Sequence, residues 1–331
     1  MNRTSRVAWL TLGLAVTVTV LAIPPTPAVG QTKLVMVLNP IVETDAVLFS
    51  GQLIARMLSI SLGIPVEATV ATSYAATITA MCAGRADLAF LSPFAYVLAH
   101  ESCGVEVAAV SVRAGRPYYR GQILARADAG INKFEDLQGK RFAFVDPAST
   151  SGYLFPSAML KKMGYNPERF FSQAVFAGTH SNVVLAIYSG SVDGGATFED
   201  VRTTLVRQFP DVMQKTKPIL YTNPIPQDTF SLYPKLSPEL KAKIKDRLVR
   251  IGATEPGKEA LRSLYNVEGL TDRVELTNEQ LQQLGVRLTP EITENMVRRG
   301  DRVVIPVGDW YFQVVRDAAK FLGLDLPKMV R

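Results

Sequence analysis

The chain is 331 residues long, 47% hydrophobic and 20% charged, with a formal net charge of +6. That length suits two domains of moderate size, each able to bury a core. The mild positive balance comes without a Lys/Arg block, which excludes a nucleic-acid footprint, and two histidines and two cysteines are too few and too scattered for a metal site.

In chain order, the first segment stands apart. Arg3 and Arg6 precede an uncharged apolar run from Val7 to Ile23, then "PPTPAVGQ" with small residues at Ala28 and Gly30. This reads as a secretory signal peptide over residues 1–30, cleaved near Gly30. The alternative is a retained membrane anchor, since the run approaches the lower length limit for a spanning helix. The absence of any cysteine before Cys82 excludes lipid attachment at a mature N-terminal cysteine, and no later segment is expected to span a bilayer. Removing residues 1–30 takes away two arginines and leaves +4, a balance that suits an anionic small ligand. Cys82 and Cys103 lie in the exported part, where they are either a disulfide or two buried thiols.

Beyond residue 30, strand and helix alternate. "KLVMVLNP" reads as a strand and "DAVLFSGQLIARMLSISLG" as a helix ending at Gly63. "IPVEATVA", "ADLAFLS" and "VEVAAVSVR" are further strands, separated by the helices "SYAATITAMCAG" and "PFAYVLAHESCG". After the turn "AGRPYYRG" and the extended "QILARAD" the pattern restarts. "NKFEDLQGK" is a short helix, "RFAFVDP" a strand and "SGYLFPSAMLKKMG" a helix; then come strand "AVFAGTH", helix "SNVVLAIYSG", strand "VDGGATF", helix "EDVRTTLVRQF" and strand "KPILYTN". Such alternation predicts an α/β protein with parallel sheets flanked by helices, in two successive lobes. After "IPQDTFSLYP" the chain is expected to be helical to its end, including "EITENMVRRG", and to pack back on the first lobe.

At the junction of "RFAFVD" and its helix stand Ser149, Thr150, Ser151 and Gly152. One N-cap explains one hydroxyl. Three in a row at a helix start, where backbone amides lack helical partners, make a seat for an oxyanion. A nucleophilic serine is the competing reading, with His180 at the end of "AVFAGTH" as its base. "STSG" is not a G-x-S-x-G elbow, and His100, late in a helix, reads as structural.

The segments "GKRFAFVDPASTSGYLFPSAMLKKMG", "FAGTHSNVVLAIYSGSVDGGATFEDVR" and "NPIPQDTF", in that order and spacing, give the chain an identity. With "GRADLAFLSPFAYVLAHE", "YYRGQILARADAGINKFEDLQGK" and "DWYFQVVRDAAKFLGLDL", it resembles the periplasmic phosphate/phosphite/phosphonate-binding proteins, the substrate-binding subunits of ABC importers. The resemblance runs from about Lys33 and is most specific in "DPxSTSGYLxP" and "GTH". The region from about Leu270 to Gly308 looks longer than in shorter relatives and has no assigned role.

The resemblance implies a type II periplasmic binding protein fold: two α/β sandwich lobes joined by two crossing strands. Lobe 1 is expected over 31–120 plus 229–331 and lobe 2 over 121–228. It implies a periplasmic, monomeric, non-enzymatic subunit that takes a small phosphorus oxyanion to a permease and ATPase, with no cofactor, metal or nucleic acid. Its ligand residues map to Ser149, Thr150 and Ser151, to His180, to Tyr74, and to Tyr118 with Tyr119 as the competing choice. The acidic positions map to Glu199, with Asp200 as alternative, and to Asp228; Ser92 and Pro93 line the cleft from lobe 1. A carboxylate beside an oxyanion repels it, so Glu199 and Asp228 make sense against a ligand P–OH or ammonium, or else as surface or hinge acids. An enzyme on the same fold using Ser and His, and a secreted ligand sensor, are the rival functions.

Overall fold

The computed structural model describes residues 33–264 and 266–329; the expected signal peptide lies outside the described residues. The first half of the chain builds β1 (Leu34–Leu38), α1 (Thr44–Leu62), β2 (Val66–Val70), α2 (Tyr74–Cys82), β3 (Leu88–Leu91), α3 (Pro93–Cys103) and β4 (Glu106–Val112). Gly63 ends α1 with φ 68°, a left-handed C-cap that glycine adopts at little steric cost. By length and mean hydropathy α1 meets the requirement for a membrane span, contrary to the sequence expectation. Its Val47, Ile54 and Leu58 are buried, because the helix packs against β2 and two later helices, so the apolar composition serves a core.

A second series follows: β5 (Tyr118–Arg126), β6 (Arg141–Phe144), α4 (Phe155–Lys162), β7 (Gln173–Phe176), α5 (His180–Tyr188), β8 (Gly194–Phe198), α6 (Val212–Lys215) and β9 (Thr216–Pro226). The chain then forms β10 (Thr229–Leu232), α7 (Pro238–Ala253), α8 (Glu255–Arg262), β11 (Gly269–Thr271), β12 (Arg273–Thr277), α9 (Asn278–Gln283), α10 (Pro290–Glu294), β13 (Val297–Arg299), β14 (Arg302–Pro306) and α11 (Gln313–Leu322).

Two main sheets result, with strand orders β11-β4-β10-β3-β1-β2 and β7-β6-β8-β5-β9. Neither is wholly parallel. β10 runs antiparallel between β3 and β4, and β5 antiparallel between β8 and β9. The reversal has a topological cause: β5 and β10 are the strands by which the chain enters the second sheet and returns to the first. The first passage is the turn Arg113–Arg116, where each terminal residue's amide donates to the other's carbonyl, at 3.0 and 2.8 Å. Its central residues, Ala114 and Gly115, both have positive φ (46° and 67°), the twist that matches tight strand-to-strand turns. The second passage, Gln227–Asp228, lies beside it: the Gln227 amide donates to Pro117 O and the Ser111 amide to Asp228 O.

Three expected elements differ. "EDVRTTLVRQF" makes only a single 3-10 turn, Val201–Thr204, entered through Asp200 at φ 68°. "EITENMVRRG" is helical only to Glu294 and then becomes β13. Residues 273–306 contain a separate three-stranded antiparallel sheet, β12-β14-β13, where helix was expected. The strand signal was present: in β12, Val274 and Leu276 are buried between exposed Arg273 and Glu275. Cys82 and Cys103 form a disulfide that ties the end of α2 to the end of α3.

Candidate functional site

Four helix starts meet where the two chain passages adjoin. Ser92 caps α3 and accepts from the Ala95 amide; Ser73 caps α2, whose first residue is Tyr74. Thr179 caps α5, whose first residue is His180. That corrects the expectation that His180 ends a strand: β7 stops at Phe176, and Gly178 turns the chain with φ 82°. The fourth start is the hydroxyl segment. Ser149 accepts from the Gly152 amide at 3.1 Å, and a wide π-type turn over Thr150–Leu154 leads into α4, with Leu154 N donating to Ser149 O. Such wide turns recur at functional sites. Gly152 is required by crowding: a Cβ there would lie 2.3 Å from Val145 Cγ2 and 2.8 Å from Ser149 Oγ.

These starts enclose a small cavity lined by Tyr74, Ser92, Ser149, Ser151, His180 and Asp228, together with Ile41, Arg113, Tyr119 and Phe198. Its free volume, about 10 Å³, matches a single water molecule. Six of the expected ligand residues are therefore brought together. Three are not. Thr150 is buried but its Oγ1 accepts from the Phe94 amide at 2.8 Å, joining the turn to the start of α3. Tyr118 lies on the outer side, its hydroxyl accepting from Gln280 at 2.7 Å; alternation along β5 turns its neighbour Tyr119 inward. Glu199 also lies outside the cavity, accepting from the Arg120 amide at 3.1 Å and from Arg116 at 3.4 Å.

Arg113 is the residue that sequence reasoning missed. Its Nη2 donates to Asp228 Oδ2 at 2.6 Å, both side chains nearly buried. Its guanidinium also lies 5.3 Å from the Phe198 ring centre and 5.8 Å from that of Tyr119, within cation–π range. The only signal in the sequence was its place at the mouth of the "RAGR" turn. Burial pushes the Asp228 carboxyl up, and Arg113 opposes the shift through charge and hydrogen bond. Burial also pushes Tyr119 above the ordinary phenol range, so it stays a neutral donor, reaching Ser151 Oγ at 3.4 Å.

His180 is pushed down to about 3, first by burial and then by the Arg113 charge. Its Nδ1 accepts from the Phe198 amide at 3.2 Å, so the neutral ring carries its proton on Nε2. A ring in that state donates and has no lone pair left to take a serine proton, which removes the basis for a Ser–His nucleophile. The arrangement offers donors: hydroxyls, an Nε2–H, a guanidinium and the positive ends of helices. No cluster of His, Cys, Asp and Glu able to hold a metal occurs among the described residues.

A family model described as "ABC transporter, phosphonate, periplasmic substrate-binding protein" matches residues 39–279. The chain is 36% identical over 202 residues to the phosphate-import protein PhnD of Mycolicibacterium smegmatis, covering 57% of this chain and 63% of that protein. To the phosphonates-binding periplasmic protein of Escherichia coli it is 30% identical over 208 residues, 61% of each. The chain thus spans about three-fifths of the length of the curated relatives it matches. Among solved structures, a binding protein component of an ABC phosphonate transporter from Pseudomonas aeruginosa superposes with a TM-score of 0.72 at 22% identity, over 88% of this chain and 87% of that one. PhnD1 from Prochlorococcus marinus, in complex with methylphosphonate, gives 0.71 at 16% identity, over 88% and 99%. The fold is that of the type II periplasmic binding proteins. The chain belongs to the family of periplasmic phosphonate substrate-binding proteins of ABC transporters.

Proposed function

We propose that the protein captures a small phosphorus oxyanion (phosphate, phosphite or a phosphonate) between its two main sheets and delivers it to a membrane permease and its ATPase. The observation that carries this reading is the convergence of four helix starts and a guanidinium on one buried cavity. Helix starts favour negative charge and present amides without helical partners. Ser149 and Ser151, with Ser92, Tyr74, Tyr119 and the His180 Nε2–H, would hold the oxygens. Thr150 supports the turn, and Asp228 acts through Arg113. We place lobe 1 at 31–120 plus 229–331 and lobe 2 at 121–228, with the signal peptide removed near Gly30 in the periplasm. The protein acts as a monomer and catalyses no reaction.

Calorimetry on the mature protein tests this directly. Phosphate, phosphite or methylphosphonate should bind with a 1:1 stoichiometry, and Ser151→Ala should weaken binding by about tenfold or more, since a hydrogen bond to a charged group contributes about 1.5–3 kcal/mol. Absence of binding by all three anions would overturn the reading.

A further inference from the structure

The cavity has a neighbour. On the far side of Arg113, Tyr119 and Phe198 lies an outer pocket of about 130 Å³, lined among others by Tyr118, Glu199, Asp200 and Glu268. Arg113, Tyr119 and Phe198 line both spaces and so form the wall between them. Of the carboxylates that line the two spaces, Glu199, Asp200 and Glu268 lie behind that wall and Asp228 is engaged by it. Asp228 is held by Arg113 at 2.6 Å, and Glu199 accepts from Arg116 and the Arg120 amide.

We infer that Arg113 is the specificity-determining residue of this site: it closes the wall with its own cation, so the ligand is a compact oxyanion without a cationic substituent. The inference rests on the oxyanion reading above and deepens it. An aminoalkylphosphonate would need its ammonium to meet a carboxylate. The carboxylate that lines this cavity, Asp228, is already paired with the Arg113 guanidinium at 2.6 Å, and that charge repels an ammonium. The guanidinium also balances the Asp228 charge, so the carboxylate does not oppose an anion held on the hydroxyl side. Ring contacts with Tyr119 and Phe198 hold it in the wall, and the turn at Ala114 and Gly115 sets where its backbone leaves β4.

The test compares methylphosphonate with 2-aminoethylphosphonate by calorimetry, on wild type and on Arg113→Ala, with folding checked by thermal melting. Wild type should prefer methylphosphonate by at least tenfold. Arg113→Ala joins the two spaces and frees Asp228, so it should gain 2-aminoethylphosphonate and reduce that preference at least fivefold. If Arg113→Ala does not fold, Arg113→Gln, which removes the cation while its amide can still donate to the retained Asp228 carboxylate, is read in the same way. Wild type binding both compounds within tenfold, or a variant that keeps the wild-type preference, would overturn this inference alone. Failure of wild type to bind phosphate, phosphite or methylphosphonate would overturn the oxyanion reading and take this inference with it.

Discussion

With the Phe198 amide on Nδ1 and the ring almost wholly buried, His180 stays neutral from alkaline pH down to about 3. In the unfolded chain it titrates near 6.5. Its folded pKa is depressed, so the unfolded state binds the extra proton between about 3 and 6.5, and stability falls as pH falls through that window. At pH 5 the loss relative to pH 8 is about 2 kcal/mol. Asp228 is shifted in the opposite sense by its burial, so the net pH profile mixes both groups. His180→Gln isolates the histidine: the stability difference between wild type and this variant should shrink by about 2 kcal/mol from pH 8 to pH 5, measured by urea unfolding. A constant difference would show that the ring is not held neutral.

At the scale of elements, the turn Arg113–Arg116 is short because two positive-φ residues complete it, and only one of them is glycine. Ala114 at φ 46° carries the left-handed penalty of about 1–2 kcal/mol for an L-residue. Ala114→Gly removes it while adding about 0.4–1 kcal/mol of unfolded-state entropy. The variant should therefore gain about 0.5–1 kcal/mol in chemical denaturation. A loss of stability would mean that the Ala114 methyl contributes contacts that outweigh the strain. The segment 273–306 belongs to the same scale. Its alternation of buried and exposed residues was readable, but short strands flanked by helix-forming residues look helical until β14 is seen pairing with both β12 and β13.

At the scale of the whole molecule, the site residues are buried to a degree that bars access in this conformation: Ser149 and Ser151 are each 1% exposed and His180 3%. The two halves also touch away from the cavity, where Lys161 at the end of α4 donates to Phe321 O at 2.5 Å and lies over that residue's ring. On the oxyanion reading, a ligand reaches these residues from a more open state, and closing around it gains contacts from both halves. Small-angle scattering should show a smaller radius of gyration in saturating phosphate or methylphosphonate than without it. An unchanged radius would mean that the ligand-free protein is already closed.

The sequence by itself determined the alternating elements, the helix caps and the hydroxyl start of α4, because these depend on local periodicity and on which residues satisfy amides at helix ends. It also carried the family, through "DPASTSGYLFP" and "AGTH". Only the tertiary structure decided which neighbour in the pair Tyr118 and Tyr119 faces inward, that Thr150 binds the α3 backbone, and that Glu199 stays outside. It alone brought Arg113 onto Asp228 across 115 residues of chain. Pairings of that kind depend on where two separate chain passages cross, and no local pattern records the crossing.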